Sequence, residues 1–370
     1  MNGPKKVVEE LLSSIDVVVG GDNPWDIRVH DDRMYSRILA EKNLGLGESY
    51  MDGWWDCDRL DDFIARLLVG GLQEKVKGGL KLLFPVVQAK LFNRQSKARS
   101  KEVAERHYDL GNDLFTSFLD EYRQYSCAYF NGADDINEAQ QNKLELICRK
   151  LNLSEGDRVL DIGSGWGGLA KYAAEKYGCR VTGINISDEQ IAYAEHFCEG
   201  LPVEILKCDY REVTGCYDKI VSVGMFEHVG YKNYRAFMET AHRCLNTDGI
   251  LLLHTIGGNE SSFQIDPWMS KHIFPNGVLP SVSQIATSIE GLFVMEDFHN
   301  LAPHYDKTLM AWHRAFLHAW PRLSSAYDER FRRMWEYYLL SAAGAFRARY
   351  NQLWQIVFTK YGTPQPACRF

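Results

Sequence analysis

The sequence predicts an α/β protein with a doubly wound, seven-stranded, mostly parallel sheet, preceded by a small, mainly helical domain. Three observations predict it. From about residue 140, apolar strand-like runs alternate with helical patterns of roughly ten to fifteen residues, as parallel βαβ units do. A glycine-rich corner, VLDIGSGWGG at 159–168, joins the first such run to a helix. Before residue 75 the chain instead alternates short helical patterns with loops.

In chain order, MNGPKKVVEELLSSID reads as an amphipathic helix containing acids, with no signal-peptide apolar core after it. GLGESYMDGWW (45–55) is rich in Gly and Trp and runs into a helical pattern; Trp54 and Trp55 read as core or interdomain packing. From Lys75 to Lys101 eight basic residues occur without an acid. Leu80, Leu83, Phe84, Val87 and Leu91 recur there at helical spacing, interrupted by Pro85. A basic stretch with an apolar stripe suits a membrane surface, and it equally suits a solvated linker helix packed on its own protein. The expected limits are an amino-terminal domain at 1–75, a basic linker helix at 76–104 and the sheet domain at 105–370.

The strands expected in the sheet domain are RVLDIGSGW, CRVTGINIS, VEILKCDY, YDKIVSVGMFEHVG and DGILLLHTIGG, followed by LFVMEDFHN and LWQIVFTKYG. GGLAKYAAEKYG, DEQIAYAEHFCEG and NYRAFMETAHRCL are helices between them, and long helical patterns separate the last two strands.

Composition narrows the function classes. The 370 residues suit two domains, or one with additions, and the 45% hydrophobic content suits a soluble protein with a substantial core. A net charge of −7 disfavours nucleic acid as the main partner. Nine cysteines without a C-x-x-C read as reduced thiols in a cytosol, not as disulfides or a zinc site. No apolar run approaches the ~20 residues of a membrane span.

The glycine corner fits two fingerprints. Gly163, Gly165 and Gly168 satisfy the dinucleotide turn, whereas Asp161, Gly163, Gly165 and Gly167 satisfy the D-x-G-x-G-x-G turn of S-adenosylmethionine (SAM) sites. A nicotinamide site wants an acid at the tip of the second strand, and Asn185 stands there. Asp188 and Glu189 follow the strand and suit the first turn of a helix. Asp161 would repel a pyrophosphate but suits the ammonium and sulfonium of SAM; orienting the loop backbone is its alternative role. Asp209, ending the third strand, can accept from an adenine amine. The fold expected is therefore that of a class I SAM-dependent methyltransferase, with no metal. Glu227 and His228 are expected on opposite sides of an extended chain, which disfavours joint metal ligation.

Seven stretches together resemble the cyclopropane-fatty-acyl-phospholipid synthases: GLGESYMDGWW, HYDLGNDLF (107–115), QYSCAYF (124–130), DIGSGWGG, GMFEHVG (224–230), LLLHTIG (251–257) and PHYDKTLMAW (303–312). The resemblance runs from about residue 30 to 360. The mycolic-acid cyclopropane synthases are similar in fold but lack the amino-terminal domain. The resemblance implies that the alkene of an acyl chain takes the SAM methyl group, and that a bound bicarbonate removes a proton so the ring closes. The positions matching the bicarbonate ligands are Cys127, Glu227, His254, Tyr305 and the backbone of Ile256. Those matching the cofactor site are Tyr125, Ser126, Gly163, Gly165, Asn185, Ile186, Gln190, Asp209 and Tyr210, with Asp161 beside them.

Taken singly, each anion-site residue has a plainer reading: Cys127 as a small buried hydrophobe, His254 as a core histidine, Glu227 as a turn cap, Tyr305 as a loop tyrosine. The resemblance further implies an unsaturated phospholipid substrate, docking of the amino-terminal domain on lipid at the inner face of the membrane, a cytoplasmic location and a homodimer. Docking has a physical motive, since drawing ~10 methylenes into water costs ~8 kcal/mol. A methyltransferase making a methyl-branched lipid or methylating a small amine is the alternative.

Overall fold

The computed structural model describes residues 3–72 and 111–370. The basic segment 75–101 and the linker expected at 76–104 lie outside the described residues, as does the start of HYDLGNDLF. The chain divides into two compact units: residues 1–88, 265–275 and 305–351 form one, and residues 89–264, 276–304 and 352–370 the other. The units are discontinuous in sequence, whereas sequential limits at 75 and 104 were expected.

The second unit holds the sheet. Its strands are β1 (Arg158–Ile162), β2 (Arg180–Asn185), β3 (Val203–Lys207), β4 (Tyr217–Val223), β5 (Leu245–Gly258), β6 (Val294–Asn300) and β7 (Asn351–Thr359). They lie in the order β3-β2-β1-β4-β5-β7-β6, so seven strands form as the sequence predicts. β1 pairs parallel with β2 and β4, β2 with β3, and β4 with β5, while β6 and β7 pair antiparallel. Apolar residues sort to the two faces by parity. Leu160, Ile162, Ile220, Leu251 and Leu253 join one core cluster; Val159, Val181, Val221, Ile250 and Leu252 join the other. Two buried faces explain why these strands read as continuous apolar runs. Each buried Val, Leu or Ile contributes about 1.5–3 kcal/mol of transfer free energy. The strand order reverses between β1 and β4, and such sheets bind ligands at that switch point, beyond the carboxyl ends of the strands.

The first unit is mainly helical: Pro4–Ser13, Arg33–Glu41, Asn43–Met51, Leu60–Val69, Pro267–His272 and Glu329–Arg347, with most of Ala302–Leu323. Asn43–Met51 is helical despite Gly45 and Gly47, because both glycines face close neighbours. A Cβ at Gly47 would strike the Trp268 ring, and one at Gly45 the carbonyl of Arg37. Trp55 is wholly buried, edge-on to Tyr50 and Phe63, and its indole N–H donates to Ser49 Oγ at 3.0 Å. Trp54 is half-buried beneath the guanidinium groups of Arg33 and Arg37. Among the described residues no helix is long and apolar enough to cross a membrane.

Candidate active site

The corner after β1 builds the floor of a cavity. The N–H groups of Gly163 and Ser164 both donate to the Ile184 carbonyl, at 3.0 and 3.1 Å, tying the corner to β2. Gly163 and Gly167 have φ of 86° and 83°, a region that only glycine enters without strain. A Cβ at Gly163 would also stand 2.7 Å from Met225. The helix Gly168–Tyr177 starts directly after the corner, so its free N–H groups and positive end lie at the cavity.

This cavity, of about 170 Å³, is lined by all ten residues expected to bind the cofactor: Tyr125, Ser126, Asp161, Gly163, Gly165, Asn185, Ile186, Gln190, Asp209 and Tyr210. Asp161 is 2% exposed, and burial pushes its carboxyl up to about 7 while the Lys143 ammonium pulls the other way. Burial likewise raises the Tyr210 phenol to about 12.

The second-strand tip works through internal bonds. Asn185 Oδ1 accepts from the N–H of Ile186 and of Ser187, at 2.7 and 3.2 Å, and its Nδ2 donates to Gly165 O at 3.1 Å and Gln190 Oε1 at 2.9 Å. An asparagine therefore locks the turn after β2 to the glycine corner and to the next helix. Asp188 and Glu189 occupy the first turn of that helix, Asp188–Phe197, and Ser187 caps it, as expected. Asp209 is held by Arg211 through two contacts of 2.7 Å.

The wall opposite comes from residues 123–126. The helix Ile136–Lys150 supports it, with Asp135 capping its start. Lys143 and Gln140, both wholly buried, project from this helix. Lys143 Nζ donates to Gln124 Oε1 and, at 3.0 Å, to Ser126 Oγ. Gln140 Nε2 donates to the Ser126 carbonyl at 2.9 Å and the Gln124 carbonyl at 3.3 Å. Burial lowers the Lys143 ammonium to about 8, against the attraction of Asp120, Cys127 and Asp161. Neither residue was expected from the sequence. The signal was present: Gln140, Lys143, Leu144 and Ile147 share the inward phase of one helix.

The five expected anion residues do not line this cavity. Glu227 follows β4, and His254 lies within β5 opposite Val223, the last residue of β4, beside the cavity-lining His228 and Gly224; Gly224 N–H donates to the His254 carbonyl at 2.9 Å. Phe226–His228 forms a 3₁₀ turn, which corrects the extended chain expected there: the tight turn after β4 needs i→i+3 bonds. Glu227 Oε1 accepts from the Ile256 N–H at 2.6 Å, so that donor is already engaged, while Oε2 is buried without a hydrogen-bond partner. Burial pushes the Glu227 carboxyl up to about 7, against the Ile256 N–H and, more weakly, the Thr255 hydroxyl.

His254 is 1% exposed, and burial holds its imidazole well below the ordinary histidine range, with Lys143 and Lys150 adding to the effect. Its Nδ1 meets Gln355 Nε2 on β7 at 3.3 Å; with the amide so oriented Nδ1 accepts, and the ring proton sits on Nε2. That Nε2 is buried without a hydrogen-bond partner. Cys127 is wholly buried directly after the supported wall segment. Tyr305 belongs to the helical unit, where its ring packs on Phe346 at 4.6 Å and Trp312 at 6.1 Å. All nine cysteines are free thiols.

Chemically, the cavity offers a carboxyl, backbone donors and an aromatic rim to a nucleoside-sized cation. Beside it, Glu227 and His254 present an unpaired carboxylate oxygen and an unpaired ring nitrogen.

A family model described as mycolic acid cyclopropane synthetase matches residues 95–356. Cyclopropane-fatty-acyl-phospholipid synthase of Escherichia coli K12 is 54% identical over 355 residues, covering 96% of this chain and 93% of its own. Tuberculostearic acid methyltransferase of Mycobacterium tuberculosis is 33% identical, covering 90% of this chain and 82% of its own. The crystal structure of mycolic acid cyclopropane synthase CmaA1, complexed with SAH and CTAB, superposes with a TM-score of 0.66 at 33% identity, over 70% of this chain and 98% of that one.

Proposed function

The chain belongs to the cyclopropane synthase family of SAM-dependent methyltransferases, and from that premise we propose that it forms cyclopropane rings on unsaturated acyl chains of membrane phospholipid. The observation that carries the reading is the cavity at the switch point of the sheet, which is lined by the ten residues expected to bind the cofactor. SAM, when bound, supplies the carbon that becomes the ring methylene. In this reading Asp161 faces its cationic end, the N–H groups after Gly165 and the Asn185-locked turn hold its nucleoside, and Tyr125 and Trp166 form an aromatic rim with Phe115.

A bicarbonate fits the second set of residues. Its hydroxyl can donate to Glu227 Oε2, and its oxygens can accept from His254 Nε2–H; both are among the buried polar atoms that the protein leaves unbonded. Bicarbonate, when bound, supplies a base that persists beside a cation. Around it Glu227 accepts the proton of the bicarbonate hydroxyl, and the neutral His254 donates without adding a charge. Cys127 belongs to the same proposed set, and the Ile256 N–H is shared with Glu227; a role for Tyr305, in the helical unit, is proposed from the family resemblance alone.

The helical unit is the proposed lipid-docking part, acting peripherally at the inner face of the membrane from the cytoplasm, in a homodimer. Incubation with SAM and vesicles of monounsaturated phospholipid is the test. The expected product gains one methylene and loses its alkene signal. A methyl-branched lipid or a methylated amine would replace this reading with the alternative.

A further inference from the structure

A buried ammonium is costly unless it is bonded, and a methionine of similar length would fill the same space at no electrostatic cost. Lys143 is wholly buried nonetheless, and both its bonds end on neutral oxygens, of Gln124 and Ser126. Those two residues are in the cavity wall. Gln140, one turn earlier on the same helix, bonds the backbone carbonyls of the same two residues. One helix face thus makes four polar bonds to three consecutive residues, Gln124, Tyr125 and Ser126, at the first and last of them. The segment that follows carries Cys127. The titratable and charged groups acting on the ammonium are Asp120, Cys127, Asp161 and Cys148, and His254 feels its charge in turn. Asp120 is itself engaged by the N–H groups of Tyr122 and Gln124, at 2.8 and 2.7 Å.

We propose that Lys143 is a positioning residue for cofactor binding: its ammonium holds Gln124 and Ser126 in the cavity wall and sets the positive charge against which Asp161 works. The inference rests on the reading that the cavity takes SAM. Burial raises the Asp161 carboxyl to about 7, and among the described residues the Lys143 ammonium is the charge acting to keep it ionised. Losing the ammonium therefore weakens the wall and also makes Asp161 harder to ionise, so affinity for an ammonium-bearing ligand must wait for higher pH.

Calorimetric titration of the full chain with S-adenosylhomocysteine, from pH 5.5 to 8.5, tests both consequences. Wild type is expected to bind more tightly as pH rises, with a midpoint near about 7, until the Lys143 ammonium itself loses its proton near about 8. Lys143→Met is expected to bind at least ~10-fold more weakly at neutral pH, through loss of a charged hydrogen bond. Its midpoint should move upward by roughly one unit. An unchanged Kd, or a weaker Kd with an unmoved midpoint, overturns the proposal, because packing alone does not shift a titration. Should Lys143→Met fail to fold, Gln124→Met decides. It keeps the ammonium and loses one bond, so a Kd weakened ~5- to 10-fold with the wild-type midpoint is expected; an unchanged Kd overturns the proposal. Wild type that binds no S-adenosylhomocysteine at any pH overturns the SAM reading and this inference together.

Discussion

The cavity beyond β1 and the Glu227–His254 pair beside it differ in how their polar groups are satisfied. In the cavity Asn185 makes four bonds and Asp209 is clamped by Arg211, while Ser164 Oγ and Tyr210 OH are buried without a hydrogen-bond partner. Beside it, Glu227 Oε2 and His254 Nε2 are buried and unbonded. The first is shaped mainly by the bonds of Asn185 and Asp209. The second carries an electrostatic debt that only a bound group of the right polarity removes, since a buried unsatisfied polar atom costs about 1–3 kcal/mol. Rigid surroundings suit a ligand recognised by outline, and unsatisfied atoms suit a small ion recognised by charge and proton.

Mutation of the pair should produce the largest effect and separate the two sites most sharply. Glu227→Gln is expected to lower kcat by ~100-fold or more, as removal of one electrostatic group from a dry site does, while changing the Kd for S-adenosylhomocysteine less than ~3-fold. Steady-state lipid turnover beside calorimetry measures the split; equal losses in both would erase the distinction between the sites. In the cavity the reverse holds. Asn185→Ala removes the four bonds that lock the turn after β2, and is expected to weaken S-adenosylhomocysteine binding by roughly 10-fold. Unaltered affinity would mean that the turn holds without its asparagine.

The smallest effect concerns stability. Burial raises the Glu227 carboxyl from 4.5 to about 7, so its favourable contribution is complete below about 4.5 and is lost as pH rises through about 7. Glu227→Gln should therefore melt a few degrees above wild type at pH 8 and level with it at pH 4. Thermal scans at the two pH values measure this, and a gap that is the same at both would refute the assigned burial cost.

Much of the cavity was legible in the sequence because its parts are local. The D-x-G-x-G-x-G corner, the tip residue Asn185 and the strand-end Asp209 sit at fixed offsets from strands that apolar periodicity reveals. The supporting layer was not. Lys143 and Gln140 read as ordinary residues of an amphipathic helix, and Gln355 as an ordinary residue of a late strand, until the fold placed them against Ser126 and His254. The 3₁₀ turn at Phe226–His228 was missed for a similar reason: EH after an apolar run continues a strand pattern as readily as it ends one.

By itself, the sequence determined the order of the strands along the chain, the two-faced burial of the sheet and the glycine corner, because periodicity and positive φ are properties of neighbouring residues. Only the tertiary structure decided which polar groups would be satisfied. Asn185 is saturated, Ile256 N–H is spent on Glu227, and His254 Nδ1 is met by Gln355 from a strand about a hundred residues away. Hydrogen bonding and desolvation depend on what the folded chain brings within about 3 Å, and that proximity is written in no single stretch of sequence.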